Sequence, residues 1–129
     1  MKNKWAIILG CSTGHGAATA KQLATEGYGI IGFHLDRGSI KKNAVSFQEE
    51  IASLNSNRVK FWNENAADKE IMFSKIEEIK TILGNGKVKL LMHSIAFGST
   101  TNFFNPTPVR QRQMDMTQHV MAHCLIYWT

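Results

Sequence analysis

The chain has 129 residues, of which 43% are hydrophobic and 19% are charged, and this fits one globular domain while leaving no room for two. Fifteen basic residues against ten acidic ones give a formal net charge of +5, which favours anionic partners, but the basic residues are scattered and nucleic-acid binding is not expected. No apolar run approaches the roughly 18 residues of a membrane span, so no membrane binding is expected. The two cysteines are widely separated in sequence, which fits a protein of the reducing cytoplasm.

Apolar runs typical of buried strands alternate along the chain with patterns typical of helices. The four strand-like runs are residues 5–9, 28–35, 59–62 and 88–92. The helical patterns lie at residues 17–24, at about 40–55, between the predicted cap Asp68 and the glycines at 84 and 86, and from about 109 to the end. Strands separated by helices imply a parallel sheet with right-handed crossovers, which is half of a doubly wound α/β fold.

A glycine-rich turn, Gly-Cys-Ser-Thr-Gly-His-Gly at residues 10–16, separates the first strand from the first helix. A strand, such a turn and a helix in this order build a cradle for a dinucleotide. Gly10 allows a sharp turn, Gly14 allows backbone N–H groups to reach a pyrophosphate, and Gly16 allows the helix to pack closely. The predicted cofactor contacts in this turn are Gly10, Ser12, Thr13, Gly14, His15 and Gly16. The alternative interpretation is a strand-to-helix loop that binds nothing.

Four stretches, in the same order, resemble those of the short-chain dehydrogenase/reductase family. The turn matches the family's G-x-x-x-G-x-G motif, and Asn-Ala-Ala-Asp at 65–68 resembles its D-V-x-D stretch. His-Ser-Ile-Ala-Phe at 93–97 resembles the H-S-I-x-F stretch of the enoyl-acyl-carrier-protein reductase branch, and residues 119–125 resemble that branch's D-V-S-A-Y-S-L helix. The resemblance implies a Rossmann-like doubly wound parallel sheet, here of about four strands in the order 3-2-1-4.

The resemblance also implies a function and further site residues. The cofactor would be NAD or NADP, and hydride would pass between its nicotinamide and an enoyl thioester or a carbonyl substrate. By the same resemblance, Asn65 and Ala66 would hold the adenine, and Ser94, Ile95 and Ala96 would lie near the nicotinamide ribose.

The end of the second strand is where the sequence bears on the choice between NAD and NADP. Asp36 follows the last glycine of the turn at the spacing of a carboxylate that binds the adenosine ribose hydroxyls and repels a 2′-phosphate. In an ungapped comparison with the family, however, His34 and Leu35 take the discriminating positions. Arg37 and the lysines at 41 and 42 could form a phosphate pocket. Asp36 and Arg37 are therefore both candidate contacts, the cations favour NADP, and NAD stays open.

No catalytic residue and no metal site are predicted. The family uses a tyrosine that exchanges a proton with the substrate and a lysine a few residues further on. Neither Tyr28 nor Tyr127 belongs to such a pair. His119 and His123 have the spacing of a two-histidine metal site but no third ligand is indicated, and His93 is interpreted as a strand-end side chain near the cofactor.

The sequence stops within a helical pattern at about half the usual length of the family. We therefore expect residues 1–129 to be the N-terminal half of a longer NAD(P)-binding domain, inactive alone. The alternatives are a non-catalytic dinucleotide-binding or redox-sensing module and a nucleic-acid-binding protein. In the family's strand order, the strand at 88–92 becomes an unpaired edge, and the last helix exposes Met121, Leu125 and Trp128. These features predict a homo-oligomer.

Overall fold

A computed structural model describes residues 3–95 and 125–128 of the chain. The strands are β1 (Lys4–Leu9), β2 (Gly29–His34), β3 (Val59–Asn63), β4 (Lys87–His93) and β5 (Leu125–Trp128), and the helices are α1 (Gly14–Thr25), α2 (Ile40–Leu54) and α3 (Lys69–Leu83). They form one sheet in the order β3-β2-β1-β4-β5, in which β1 to β4 are parallel. The predicted Rossmann-like α/β fold with strand order 3-2-1-4 is confirmed. Over the described ranges, no helix is both long and apolar enough to cross a membrane.

Helices cover both faces of the sheet. On one face, Ile8 of β1 shares a core cluster with Ala24 of α1 and Ile51 of α2. On the other face, Ile79 of α3 packs in a second cluster with Trp5. Because β2 lies between these two layers, all six of its residues are buried, as expected for a central parallel strand. Because β1 to β4 are parallel, their carboxyl ends lie together at the same end of the sheet.

The two ends of α3 are set by the residues that the sequence suggested. Asp68 precedes the helix with an extended backbone, and its Oδ1 accepts hydrogen bonds from the N–H groups of Glu70 at 3.0 Å and Ile71 at 3.2 Å. These bonds satisfy two donors that have no partner within the helix. Gly84 ends the helix with φ at +53°, in the region that favours glycine. The predicted cap is therefore confirmed.

The edge of the sheet next to β4 differs from the prediction. Residues 125–128 form β5, which pairs antiparallel with β4 and aligns Leu125 with His93 and Trp128 with Leu90. The expectation that the last helix reaches the end of the chain is wrong for these residues, and its part over 109–124 lies outside the described residues. The expectation that β4 is an unpaired edge is also wrong. The segment Leu-Ile-Tyr-Trp is rich in residues that favour strands, and pairing with β4 satisfies backbone groups that an edge would leave open.

Candidate functional site

A pocket of about 170 Å³ lies at the carboxyl ends of the parallel strands. In open α/β sheets, ligands bind where neighbouring connections leave a strand in opposite directions. Here α1 leads from β1 to β2 on one side, whereas β4 lies on the other side of β1, so a crevice begins at the end of β1. Most of the site residues predicted from the sequence line this pocket, namely Gly10, Ser12, Thr13, Asp36, Asn65, Ala66, Ser94 and Ile95.

The other predicted contacts are not part of the pocket lining. Gly14, His15 and Gly16 form the first turn of α1 beside it, and the Arg37 side chain is exposed. Ala96 lies outside the described residues. The cations that favoured NADP, Arg37 and the lysines at 41 and 42, are exposed and none of them lines the pocket.

Four lining residues were not predicted as cofactor contacts: Phe33, His34, Leu35 and Glu64. Each of them lies at or just after the carboxyl end of β2 or β3. Because the carboxyl ends of parallel strands meet at one edge, the predicted strand ends already carried this signal. His34 and Leu35 were singled out in the family comparison, but nothing local to the sequence showed which side chains at these strand ends face the crevice.

The first part of the glycine turn is held tightly between β2 and β4. The N–H groups of Gly10 and Cys11 both donate to the carbonyl of Phe33, at 2.8 and 3.1 Å, and the N–H of Ser94 donates to the carbonyl of Leu9 at 2.7 Å. Gly10 has φ at +89°, and a Cβ there would collide with the backbone carbonyl of Ser94. Glycine is therefore required at position 10 both for the turn and for the approach of β4.

The other two glycines of the motif have different surroundings. A Cβ on Gly16 would collide with the carbonyl of Gly10, so Gly16 lets α1 begin directly against the end of β1. Gly14 has φ at +59°, and no described atom lies within 4 Å of where its Cβ would be. Thr13 precedes the helix without a capping side-chain hydrogen bond, and the first turn contains no acidic residue. The positive end of the α1 dipole thus lies beside the pocket without a carboxylate of its own turn.

The end of β2 brings a carboxylate to the pocket. The backbone N–H of Asp36 donates to Asn63 Oδ1 at 2.9 Å, and Asn63 Nδ2 donates to the Asp36 carbonyl at 3.0 Å. This reciprocal pair fixes Asp36 to the end of β3. The Asp36 Oδ2 atom lies 3.0 Å from Nδ1 of His34, and the side chains of both residues are mostly buried.

Cys11, next to Gly10 in the turn, is fully buried. Burial raises the pKa of its thiol from 9.0 to about 12, a backbone hydrogen bond opposes the rise, and the negative charge of Asp36 adds to it. A neutral, buried thiol is a poor nucleophile and a poor metal ligand. Cys11 therefore belongs to the core under the pocket and not to its chemistry.

Two further candidate side chains, those of Tyr28 and His93, do not line the pocket, whereas His119, His123 and the Tyr127 side chain lie outside the described part of the chain. Tyr28 is buried in the core just before β2, at the amino ends of the strands, whereas the pocket lies at their carboxyl ends. His93 ends β4 and is not among the lining residues, and its Nδ1 is buried without a hydrogen-bond partner among the described residues. In the same ranges, no three His, Cys, Asp or Glu side chains cluster as a metal site requires.

No family model and no curated protein matches the chain, but solved structures do. Carveol dehydrogenase from Mycobacterium avium, in complex with NAD, matches with a TM-score of 0.69 at 19% identity over 95% of this chain and 47% of that one. YwfH, an NADPH-dependent reductase involved in bacilysin biosynthesis, matches with a TM-score of 0.65 at 21% identity over 95% and 48%. A blue fluorescent protein from a metagenomic library, in complex with NADPH, matches with a TM-score of 0.67 at 22% identity over 94% of this chain and 47% of that one.

These similarities concern the fold. At identities of 19 to 22% they show that the chain shares the Rossmann-like architecture of these three structures. A structure described as a short-chain dehydrogenase/reductase is also among the matches. The chain spans about half the length of the three structures, with 47 or 48% of each covered.

Proposed function

We propose that this chain is the cofactor-binding half of an NAD(P)-dependent short-chain oxidoreductase. The observation that carries the proposal is the pocket at the carboxyl ends of β1 to β4, where the glycine turn, Asp36, Asn65 and Ser94 come together. Residues distant in sequence converge there from every parallel strand, which a connecting loop without a ligand does not require. The resemblance of the fold to NAD- and NADPH-bound structures supports the same class of cofactor.

The residues of the pocket suit successive parts of a dinucleotide. The α1 amino terminus and the part of the turn from Ser12 to Gly16 would bind the pyrophosphate through backbone N–H groups, since those of Gly10 and Cys11 already donate to Phe33. Asn65 Oδ1 already accepts a hydrogen bond from the N–H of Ala67 at 3.0 Å, so its Nδ2 group is the donor that an adenine would meet. Ser94 would lie toward the nicotinamide side. When bound, the nicotinamide would supply the hydride chemistry, and the chain's own residues would bind the cofactor and hold it in position.

We propose that the pocket prefers NAD to NADP. Asp36 and Glu64 bring carboxylates to the lining, and no lysine or arginine of the described residues contributes to it. A carboxylate at the end of β2 can accept hydrogen bonds from ribose hydroxyls and repels a 2′-phosphate. This proposal reverses the preference that Arg37 and its neighbouring lysines suggested from sequence.

The test is a calorimetric titration of the full chain with NAD and NADP, in the wild type and in Gly14→Ala. The new methyl group would lie in open space beside the pocket, where we propose that the pyrophosphate approaches, and it would disturb charge-assisted hydrogen bonds to the cofactor. We expect affinity for both dinucleotides to fall by about tenfold, since such bonds contribute roughly 1.5–3 kcal/mol.

Gly27→Ala is the matched control. Gly27 also has a positive φ, at +89°, and open space around the position of a Cβ, but it lies at the amino end of β2 on the opposite edge of the sheet. Both variants should lose about 1 kcal/mol of stability through left-handed backbone strain. Equal affinities in Gly14→Ala and wild type would remove the glycine turn from the proposed site.

We further propose that the intact oxidoreductase acts on an enoyl thioester or a carbonyl compound, following the His-Ser-Ile sequence at 93–95. The chain alone should bind dinucleotide without turnover, because the described residues place no tyrosine in the pocket and the sequence holds no Tyr/Lys pair. Oxidation of NADH and NADPH with a crotonyl thioester, measured against a buffer blank, tests this. Turnover by the 129-residue chain would point first to His93.

A further inference from the structure

β3 is an edge strand of the described sheet, with β2 as its neighbour there. The N–H of Ile30 in β2 donates to the carbonyl of Arg58 at 2.9 Å, so the backbone carbonyl of Arg58 faces β2. Backbone groups alternate between the two sides of a strand. The groups that face away from β2 therefore belong to Val59, Phe61 and Asn63. An edge of this kind is a template on which another chain can pair.

A side chain of α2 closes the middle of this edge. The N–H of Phe61 donates to Oε1 of Gln48 at 3.1 Å, in a partly buried hydrogen bond. The neighbouring Phe47 positions this part of α2, because its ring packs against that of Phe61 with the centroids 5.9 Å apart. Gln48 thus occupies the donor that a second strand would need at the centre of β3.

The backbone of β3 is complementary to itself about Phe61. In an antiparallel pairing of two copies across a two-fold axis at this residue, Phe61 exchanges two hydrogen bonds with Phe61 of the second copy. In the same register, Val59 lies opposite Asn63 of the second copy, and both of these residues also direct their backbone groups outward. No other two-fold register uses all three outward-facing residues of both copies.

The side chains that this register brings together are also compatible. Lys60 lies opposite Trp62 of the second copy, and within one chain the Lys60 Nζ atom already lies 5.8 Å from the centre of the Trp62 ring. A lysine beside an aromatic ring is a favourable pair. Just outside the strand, Arg58 lies opposite Glu64 of the second copy. Opposite charges therefore meet at both ends of the pairing, and no like charges lie directly opposite each other.

We propose that β3 is a pairing surface for a second copy of this chain and that Gln48 controls access to it. While Gln48 holds the Phe61 N–H, the centre of the edge is closed. When the Gln48 side chain turns away, β3 pairs antiparallel with β3 of a second copy about Phe61. The partner is a second copy because this register is complementary to itself in backbone groups and in charge. The inference does not depend on dinucleotide binding.

The experiment is light scattering of the full chain over a range of concentrations, in the wild type and in Gln48→Ala. Pairing in the wild type breaks two Gln48 hydrogen bonds, one in each copy, whereas pairing in Gln48→Ala breaks none. We expect a dissociation constant about 30-fold lower in Gln48→Ala, equivalent to about 2 kcal/mol for two hydrogen bonds. In dilute Gln48→Ala, the Phe61 amide should exchange hydrogen faster than in the wild type, and exchange should slow as the concentration rises.

Three further variants separate the hydrogen bond from other effects on α2. Gln48→Met keeps the length of the side chain but removes the oxygen acceptor, so it should behave as Gln48→Ala does. Gln48→Glu keeps an acceptor for the Phe61 N–H and should behave as the wild type does. Glu49→Ala changes the neighbouring exposed position and should also follow the wild type.

Val59→Pro, combined with Gln48→Ala, identifies the surface. The N–H of Val59 faces away from β2, so proline removes a donor that a second copy needs without removing a hydrogen bond of the sheet. The gain in association caused by Gln48→Ala should vanish in this double variant.

Each outcome decides the proposal. A lower dissociation constant in Gln48→Ala and Gln48→Met, abolished by Val59→Pro, supports it. Equal dissociation constants in the wild type and in both Gln48 variants overturn it. A gain that persists with Val59→Pro also overturns it, because the copies then associate through a surface other than β3. An equal gain in Gln48→Glu overturns the role of the Gln48 hydrogen bond.

Discussion

Cys11 combines a position in a ligand-binding turn with the environment of a core residue. Its side chain is fully buried and packs against Gly32 of β2, where a Cβ would collide with the Cys11 sulfur. The thiol therefore needs a glycine opposite it, and the glycine in β2 is explained by packing and not by a turn. The same burial holds the proton on the sulfur at physiological pH.

This burial predicts a loss of stability in alkaline solution. Below pH 9, the thiol is protonated in both the folded and the unfolded chain. Between pH 9 and about 12, the unfolded chain ionises while the folded chain keeps its proton, because its pKa is raised to about 12. The free energy of unfolding should then fall by roughly 1 kcal/mol per pH unit from this group. Urea unfolding at pH 8, 9 and 10 measures it.

Cys11→Ala supplies the comparison, because other groups also titrate in this range. The variant should be less stable than the wild type at pH 8, through lost packing, and the difference between the two proteins should shrink toward pH 10. A difference that stays constant from pH 8 to 10 would show that Cys11 ionises as readily in the folded chain as in the unfolded one.

Helix ends show how local chemistry contributes unequally to stability. Asp68 caps α3 with two hydrogen bonds, whereas Ser39 precedes α2 in a helical conformation and makes no capping hydrogen bond. Asp68→Ala should therefore lower the free energy of unfolding by about 1 kcal/mol. Ser39→Ala is the matched control and should change it by less than about 0.5 kcal/mol. Urea denaturation measures both, and equal effects of the two substitutions would contradict the assigned cap.

The pairing of β5 with β4 is the element-level feature with the largest consequence for the sheet. β4 makes parallel contacts with β1 on one side and antiparallel contacts with β5 on the other. Deleting residues 125–129 should leave the backbone groups of β4 that face β5 open to water. Hydrogen exchange should then accelerate at about half of the amides from Leu90 to His93, because the N–H groups of a strand alternate between its two sides.

The amides of β1 are the internal control for this deletion. They lie between β2 and β4, so their protection should change only as far as the whole chain is destabilised. Unchanged exchange in β4 after the deletion would show that Leu125–Trp128 does not pair with it in solution.

At the scale of the whole molecule, the expected homo-oligomer stays a prediction with a changed physical basis. The described sheet has β3 and β5 as its two edge strands, so on the side where β4 was expected to be open, the edge available to a second copy is that of β5. We expect light scattering at micromolar concentration to give at least twice the monomer mass. Removal of residues 125–129 should raise the mass further by exposing β4. A wild-type chain at the monomer mass would contradict the prediction.

The positions of the first four strands and three helices followed from the sequence because their signals are local. The period of the hydrophobic pattern, the positions of glycines and a capping carboxylate each act within a few residues. Asp68 and Gly84, for example, set the ends of α3 as their residue types suggest. The strand order came from the resemblance carried by the glycine turn and by the stretches at 65–68 and 93–97. The pocket residues Ser12, Asn65 and Ser94 followed from the same motifs.

Only the tertiary structure decided which strand covers β4 and which charges reach the pocket. The partner of an edge strand depends on a segment more than 30 residues further along the chain, and no local pattern encodes that pairing. Asp36 and Arg37 are adjacent in sequence, yet Asn63 bonds the Asp36 backbone and the Asp36 side chain is mostly buried beside His34, while the Arg37 side chain is exposed. Such choices depend on contacts across the sheet, because the period-two alternation of side chains ends with β2, and hydrogen bonds from Asn63 of β3 then hold the Asp36 backbone.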